Sequence, residues 1–519
     1  MNEQKDCRVR VKKDTVYNWE KNNPILLNGE MGIVEFSDGT TKIKAGDGIN
    51  NYLNLPFINV DITKTMSIAD NANSWWCNPR CVYNELRDSV YVTGITREGI
   101  CKLCAYDLRN NNCEYVTIGK AIEDDHCTPC VLLESDKPPI VAYSLHAKEQ
   151  FVHLKISNTA PYDIRSLDDN NNEGHTHKTI SFKKSNETTS AKCSYTSLFR
   201  KPNSDTIVLI SRFGSTLRMK QSDDWGYTWG EPVVLVDQMP YGTFSINKDN
   251  NILQYVFCTH PTETPDTTMI YKVKIDLTSG NVYGQNDTLL TNLWDNFITI
   301  SARNLGNGTT ATSTRAEQIQ RSGAFQVRVF DISQDGTQLA CLKMPKYDVS
   351  SVLSGDLKLS ADEATVVYDE NNNPIDIEYN GYAVSNSAKT KLILPNRGGI
   401  YGIYRKNGNA WIFEEIIESG KPIGYYQSGY VGGMAVINNN EVILCREEDE
   451  VWYLEKWVKT EESGTWLKTE IIDKSVDKIS RPQIPWGHND KNIYVYNKYF
   501  RYNKDNYVDY YGDEVVKYN

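Results

Sequence analysis

The sequence lacks long apolar runs and blocks of basic residues. No stretch reaches the roughly 20 apolar residues that a helix needs to cross a bilayer, and the first twenty residues contain no apolar core of a signal peptide. Lysine and arginine number 56 against 67 acidic residues, so the net charge is −11. Because affinity for a phosphate backbone comes from clustered cations, we expect a chain that is made as a soluble protein, inserts into no membrane and binds no nucleic acid.

Cysteine is thinly spread. Twelve cysteines occur in 519 residues without the dense spacing of a small disulfide scaffold, which favours reduced thiols. Two CxxC pairs, Cys101/Cys104 and Cys127/Cys130, have the spacing of zinc ligands. Both pairs lie in segments with the pattern of strands, where residues three apart point to opposite faces. We therefore expect each pair to diverge.

The chain beyond residue 65 lacks long amphipathic helical patterns. Tyrosine (32) is far commoner than phenylalanine (13), and strand-like runs alternate with clusters of Asn, Asp, Gly or Ser. Asn triplets recur at residues 110–112, 170–172, 371–373 and 438–440, which hints at a blade-like repeat. A sandwich seldom grows so large, so we predict an all-β protein in which residues 65–519 form a β-propeller of seven blades.

Residues 1–60 have a different pattern. Two Asp-Gly turns, at Asp38 and Asp47, separate very short strand-like runs. The apolar residues around them are few, and a core that small is seldom self-sufficient. We predict a small N-terminal β module that docks or oligomerises.

The order of residues in this module resembles the N-terminal module of bacteriophage tail-fibre and tropism-determinant proteins. The matching positions are Trp19, Asn23, Pro24, Leu26, Gly29, Glu30, Gly32, Lys44, Gly46, Asp47, Gly48, Leu55 and Pro56. The resemblance implies a virion tail protein, made in the host cytoplasm, that uses residues 1–60 to join other tail proteins or to assemble. By analogy with fibres we expect a homotrimer that acts at a bacterial surface.

Residues 222–229, SDDWGYTW, match the Asp-box motif. Asp224 can accept backbone N–H groups across a hairpin turn, Gly226 can take a positive φ, and Trp229 can pack beneath the turn. The motif is structural and favours a sialidase-type propeller without bearing on catalysis. Sialidase chemistry is not expected, because we cannot assemble an arginine triad with a Tyr/Glu nucleophile pair.

A base, an acid and a cation occur together at strand ends in residues 125–261. The side chains are His126, His146, Tyr195, Arg212 and Tyr241, in a chain with only seven histidines. These are the groups needed to remove a proton next to a carboxylate and to hold the resulting enolate charge. A second pair, His175 and His177, falls in what we interpret as a polar, solvated loop.

With its flanking residues this set resembles the ulvan-lyase-like propellers built of sialidase-type repeats. The matching positions are Asp125, His126, His146, Tyr195, Arg212, the Asp-box, Pro240, Tyr241, His260, Pro261, Gly432, Gly433, Arg481 and Pro482. In that family the lyase removes the C5 proton of a uronic acid and expels the 4-linked sugar by β-elimination.

The resemblance implies catalytic roles for four residues. His126 and His146 are the acid and base candidates, Tyr195 a second proton carrier, and Arg212 the cation that neutralises the uronate carboxylate. Tyr241, His260 and Arg481 are assigned to substrate binding. For His260 a core histidine bonded to backbone is the alternative, and for Arg481 an ion pair between blades.

Three interpretations stay open at this stage. The first is a tail fibre or tailspike whose propeller recognises an acidic bacterial surface polysaccharide and cleaves it by elimination. The second is a receptor-binding propeller without turnover, and the third is a cellular polysaccharide lyase. Cys127 stands where relatives have a polar amide, which counts against an enzyme. No cofactor is implied; a structural divalent cation is compatible with such a propeller, but the sequence offers no convincing ligand cluster and no catalytic metal.

Overall fold

The computed structural model describes residues 11–35, 41–55, 57–58, 64–74, 76–236, 241–258, 270–300, 316–320, 325–345, 383–385, 391–393, 400–418, 432–460, 464–488, 492–502 and 510–518. The chain divides into two compact units, Met1–Lys64 with Asn519, and Thr65–Tyr518. Within the described residues, helices are too short or too polar to span a membrane.

The first unit contains a four-stranded sheet and one helix. Its elements are β1 (Val11–Thr15), α1 (Val16–Asn22), β2 (Met31–Glu35), β3 (Thr41–Ala45), a 3-10 helix (Tyr52–Asn54) and β4 (Phe57–Ile58). β1 and β2 are parallel, whereas the other two pairings are antiparallel. The helix, which the sequence analysis did not predict, begins at Thr15, whose hydroxyl accepts the amide N–H of Asn18. Trp19 stacks on Tyr52 with ring centroids 5.1 Å apart, and both belong to a five-residue core with Leu26, Val34 and Leu55.

The second unit is built almost entirely of antiparallel strands. The unit begins with β5 (Lys64–Ile68). Its first three sheets have four strands each: β6 (Cys81–Asn84), β7 (Ser89–Ile95), β8 (Ile100–Asp107) and β9 (Asn112–Lys120) in the first; β10 (Cys130–Leu132), β11 (Ile140–Tyr143), β12 (Phe151–Ser157) and β13 (His175–Ser181) in the second; β14 (Cys193–Arg200), β15 (Ile207–Phe213), β16 (Thr216–Ser222) and β17 (Val233–Val236) in the third. The fourth sheet has six strands: β18 (Tyr241–Asn247), β19 (Ile252–Cys258), β20 (Ile270–Asp276), β21 (Asn281–Tyr283), β22 (Leu289–Asn292) and β23 (Glu317–Gln320). The later strands are β24 (Phe325–Ile332), β25 (Gln338–Pro345), β28 (Ile400–Asn407) and β29 (Ala410–Glu418); a separate pair, β26 (Ala383–Ser385) and β27 (Lys391–Ile393); β30 (Gly433–Asn438), β31 (Glu441–Glu448), β32 (Val451–Lys459) and β33 (Trp466–Ser475); and β34 (Lys478–Gln483), β35 (Ile493–Tyr502) and β36 (Tyr510–Tyr518). Three 3-10 helices, Asp125–Cys127, Ile164–Leu167 and Gln285–Asp287, lie between strands.

The large sheets are arranged as the blades of a propeller. The pairing follows chain order in these sheets except for β23, which pairs with β20, and β5, which joins the last sheet. The first strands of successive sheets touch, as β10 touches β14 and β30 touches both β24 and β34. Parallel bridges join these inner edges, including Val82 to Trp486 between the first and last sheets. The predicted all-β propeller is confirmed, and the described residues form seven such sheets.

The last sheet is completed by a strand from the start of the unit. β5 is the fourth strand of the sheet β34-β35-β36-β5, although it precedes every other strand of the unit in the sequence. This pairing closes the ring, because the two ends of the unit share one blade.

The two CxxC pairs diverge as expected. Cys101 and Cys104 both lie on β8 but belong to different core clusters, one on each face of the sheet. Cys127 and Cys130 are likewise divided between two clusters. All four thiols are buried and free, so their contribution is to packing.

The Asp-box forms the turn between β16 and β17. The Asp224 carboxylate accepts the Thr228 amide N–H and hydroxyl, both at 2.7 Å, and Gly226 has φ of +89°. The deeply buried ring is that of Trp225 rather than the expected Trp229, which is only partly buried. The motif is therefore a turn clasp that anchors an indole in the core between neighbouring sheets.

One carboxylate is buried in the closing sheet. Glu514 on β36 has no exposed surface and accepts hydrogen bonds from the Tyr106 hydroxyl at 2.7 Å and the Asn71 side-chain amide at 2.9 Å. Burial raises the pKa of Glu514 to about 8, although the two hydrogen bonds partly oppose the rise. The folded chain thus holds a proton that the unfolded chain releases near the ordinary value of 4.5.

This difference predicts how the stability of the propeller responds to pH. Since the unfolded chain binds fewer protons in the window between about 4.5 and 8, Glu514 makes the free energy of unfolding fall as pH rises across it. In Glu514→Gln the amide needs no proton, so we expect the variant to gain stability over wild type progressively toward pH 8. Denaturant unfolding across the window measures the difference, and a difference that stays constant with pH would contradict the assignment.

Candidate active site

The predicted residues meet at one edge of three neighbouring blades. His126 precedes the inner strand β10, Tyr195 lies at the start of β14, and Tyr241 begins β18. His146 follows the second strand β11 and Arg212 lies near the end of β15. In an antiparallel hairpin the start of one strand and the end of the next share an edge, so these five positions gather at the same end of the inner strands.

A single carboxylate joins the two histidines. Asp124 Oδ1 lies 2.6 Å from His126 Nδ1, and its Oδ2 lies 2.6 Å from His146 Nδ1. Asp124 also accepts the backbone N–H of His126 at 2.9 Å. The two imidazoles stack with centroids 4.6 Å apart and planes at 10°. A carboxylate that accepts from Nδ1–H makes Nε2 the proton-accepting atom of a neutral ring.

The electrostatics favour an ionised Asp124 and a neutral His146. Burial alone would raise the pKa of Asp124, but the charges and hydrogen bonds of His126 and His146 outweigh it and hold the pKa well below its usual range. Burial lowers the pKa of His146; the neighbouring His126 and Arg212 add to this effect, whereas Asp124 opposes it. A neutral imidazole at neutral pH is the form that a general base requires.

Tyr195 enters the site from a strained backbone position. Its φ is +56°, and the register of β14 on β15 shifts between Ser194 and Thr196, so Tyr195 is the extra residue of a bulge. A left-handed conformation is uncommon for a bulky residue and is held only where the surrounding structure enforces it. The bulge brings the Tyr195 ring to 5.6 Å from that of His126 and 5.7 Å from that of His146.

Arg212 supplies the positive charge of the site. Its Nη2 donates to Ser194 Oγ at 3.1 Å and lies 3.4 Å from His146 Nε2, and its Nη1 donates to the Tyr241 hydroxyl. The guanidinium is 4.8 Å from the centroid of the Tyr195 ring. These four contacts orient the guanidinium within the site. The planar fork is suited to a carboxylate.

Arg481 is held in a buried ion pair. Its side chain is 1% exposed, forms an ion pair with Asp125 and donates to the carbonyl of Asn73. The ion pair between blades, which was the alternative for this residue, is observed. Asp125 Oδ1 in turn lies 2.8 Å from His126 Nδ1, so Arg481 acts on the site through Asp125.

Tyr241 and His260 are the other residues that the sequence analysis assigned to substrate binding. Tyr241 is 8% exposed and packs edge-on against Tyr195 and Trp76. His260 lies outside the described residues. Asp124, which the sequence analysis missed, lies in a run of three acidic residues directly before His126, and this run is the signal that could have pointed to it.

Asp124, His126 and His146 are also the one described group of three side chains with atoms close enough to share a metal ion. Their nitrogen–oxygen distances are 2.6 Å, the length of a charge-assisted hydrogen bond. Two ligands of a tetrahedral ion, each ~2.0–2.1 Å from the metal, lie about 3.3 Å apart. The group therefore fits a proton-sharing network better than a metal centre.

Comparisons with solved structures identify similar propellers. The chain superposes on "Structure of a new family of Polysaccharide lyase PL25-Ulvanlyase" with a TM-score of 0.51 and 12% identity, over 83% of this chain and 93% of that one. The same lyase bound to -[GlcA(1-4)Rha3S]- gives a TM-score of 0.52 at 12% identity and the same coverage. An α-L-arabinanase from Penicillium chrysogenum gives 0.32 at 8% identity, over 87% of this chain and 98% of that one. At such identities the likeness shows the fold alone.

No protein-family model matches the sequence. No curated protein matches it either.

The carboxylate bridge predicts how His146 titrates. Because Asp124 is the group that opposes the lowering of the His146 pKa, Asp124→Asn should lower that pKa further. NMR titration of histidine-labelled protein measures it; in wild type we expect His146 to carry Nδ1–H and to become protonated only below the ordinary 6.5. The signal of His488, which bonds to the Pro485 carbonyl, provides the internal control. An unchanged or higher His146 pKa in the variant would contradict the bridge.

Proposed function

We propose that the propeller binds an acidic bacterial surface polysaccharide and cleaves it by β-elimination at a uronic acid. The observation that carries this proposal is the meeting of a carboxylate-held pair of imidazoles, a tyrosine and an arginine. Removal of a proton next to a carboxylate needs these groups within reach of one another. The similar lyase structure with a bound GlcA-containing fragment supports a uronate as the substrate unit.

The reaction can be written with the residues of this chain. Arg212 binds the uronate carboxylate through its fork and stabilises the negative charge that develops on it when the C5–H bond breaks. His146, held neutral beside Arg212, takes the C5 proton at Nε2. The electron pair forms the C4–C5 double bond as the C4–O bond breaks, and the Tyr195 hydroxyl donates its proton to the departing oxygen. His126, whose ring is hydrogen-bonded to the same Asp124 carboxylate as His146, is the second imidazole available for proton transfer.

The arrangement of the partners explains why the reaction suits this site. The Nε2 of His146 is 3.4 Å from the guanidinium of Arg212, so a proton acceptor stands next to the group that would hold the carboxylate. The C5 proton of a uronate is adjacent to that carboxylate, so one binding event brings the acceptor to the proton. Tyr195, packed against both imidazoles, is close enough to serve the leaving oxygen.

Arg212→Ala tests the elimination. We expect kcat/KM on uronate-containing capsular or algal polysaccharides to fall by about 100- to 1,000-fold, the usual loss when one charge-stabilising donor is removed. The ultraviolet absorbance of the unsaturated uronate product measures it. Arg165→Ala removes an exposed arginine whose side chain is 77% accessible and should leave turnover unchanged.

The outcomes separate the open interpretations. Unchanged turnover in folded Arg212→Ala would remove the proposed site. Absence of any absorbance rise in wild type, with binding to host cells retained, would make the protein a receptor-binding propeller without catalysis. A matched unfolding transition for the two arginine variants confirms that the comparison is between folded proteins.

We further propose that this chain is a tail fibre or tailspike of a bacteriophage. The support is the ordered set of N-terminal residues that resembles tail-fibre modules, of which Trp19, Leu26 and Leu55 form part of the small core of the first unit. In this proposal the first unit joins other tail proteins, the assembly is a homotrimer, and the propeller meets the host glycan. A chain of this kind is made in the host cytoplasm and ends in the virion tail.

Labelling of intact particles tests this placement. Antibodies raised against the full chain should decorate the tails of phage particles from the source culture in electron micrographs, and sedimentation should give three times the mass of one chain. Antibodies absorbed with the purified protein are the control. Lyase activity from a monomeric protein found in cells but on no particle would favour the cellular enzyme instead.

A further inference from the structure

Two histidines face each other across adjacent strands at the outer side of the second blade. His153 lies on β12 and His177 on β13, and the register pairs Lys155 with His177 and His153 with Thr179. The histidines are thus diagonal neighbours on one face of the sheet. His153 Nδ1 lies 3.2 Å from His177 Nε2, and the rings are nearly parallel at 21°.

A carboxylate fixes the orientation of the first histidine. Glu149 Oε2 lies 3.0 Å from His153 Nε2, so it accepts the N–H of that atom and leaves Nδ1 as the lone-pair atom facing His177. Tyr143 stacks on the ring at 4.8 Å and 9°, and Phe151 meets it edge-on at 5.4 Å. A carboxylate behind an imidazole is the arrangement that orients metal-binding histidines and raises their basicity.

The distance between the two nitrogens is that of two ligands on one ion. Imidazole nitrogens bound to a tetrahedral metal at ~2.0–2.1 Å lie about 3.3 Å apart, and here the separation is 3.2 Å. We propose that His153 and His177 bind a divalent transition-metal ion of the zinc, nickel or copper class, with water completing the coordination. Imidazole ligands suit these ions and not calcium or magnesium. The site is separate from the candidate active site.

The surroundings allow the ion to enter and the ligands to bind it. His177 is exposed, whereas the side chain of His153 is 16% accessible. The charge of Lys155 is paired with Asp169 at 2.7 Å, which limits its repulsion of a cation.

The alternative to metal binding is a hydrogen bond in which one neutral imidazole donates to the other, since the 3.2 Å separation of the two nitrogens also suits a hydrogen bond. A bound ion and a shared proton make opposite demands on His177. The ion needs the lone pair of His177 Nε2, whereas the hydrogen bond needs a proton on that atom, which it donates to His153 Nδ1. Metal titration therefore decides between them.

Calorimetric titration of the metal-free, full-length protein with Zn²⁺ at neutral pH is the test. We expect wild type to bind one Zn²⁺ that His177→Ala does not bind. Glu149→Gln should keep the site but weaken it by about 10- to 100-fold, as loss of a carboxylate partner does elsewhere. His488→Ala, which changes a histidine bonded to a backbone carbonyl, should bind as wild type does.

Copper provides a second, structural readout. With one equivalent of Cu²⁺, the electron paramagnetic resonance spectrum of wild type should show hyperfine coupling to two imidazole nitrogens, and that of His177→Ala should lose it. Equal Zn²⁺ affinity in wild type and His177→Ala would overturn the proposal, because any ion then binds elsewhere. Failure of wild type to bind Zn²⁺ would also overturn it and leave the pair as a hydrogen bond.

Discussion

The candidate active site depends on one buried carboxylate that serves two imidazoles. A charged group with 4% of its surface exposed is costly unless it is paired and hydrogen-bonded, and Asp124 meets that condition only through both rings and one backbone N–H. The two histidines flank a hairpin of the second blade, so the carboxylate also fixes their spacing. Everything else in the site, including Tyr195 and Arg212, is arranged against this stacked pair.

The propeller explains why residues far apart in sequence converge. Each blade starts with an inner strand, and each first hairpin returns the chain to the same edge, so strand starts and second-strand ends from successive blades lie side by side. This regularity was accessible from the sequence, because the order of His126, His146, Tyr195 and Arg212 on strand-like runs already indicated a common edge. The Asp-box was predictable because it depends on local turn chemistry.

What the sequence did not reveal depends on long-range geometry. Nothing local distinguishes Asp124, which bridges the rings, from Asp125, which faces Arg481. The left-handed bulge at Tyr195 arises from the pairing of two whole strands. His175 and His177 were interpreted as lying in a loop, yet they belong to a strand; His175 turns to the Ser166 carbonyl, and the neighbour of His177 comes from the adjacent strand.

The ion pair between Arg481 and Asp125 links the site to the order in which the chain is made. β34, the strand that carries Arg481, leaves the ribosome after the strands of the other described blades, whereas Asp125 and His126 are synthesised early. Until β34 is made, Asp125 lacks the guanidinium of Arg481, and a carboxylate without its partner is costly to bury. Assembly of the candidate active site is thereby tied to completion of the ring. A nascent chain contains the histidines of the site before the ion pair behind them can form.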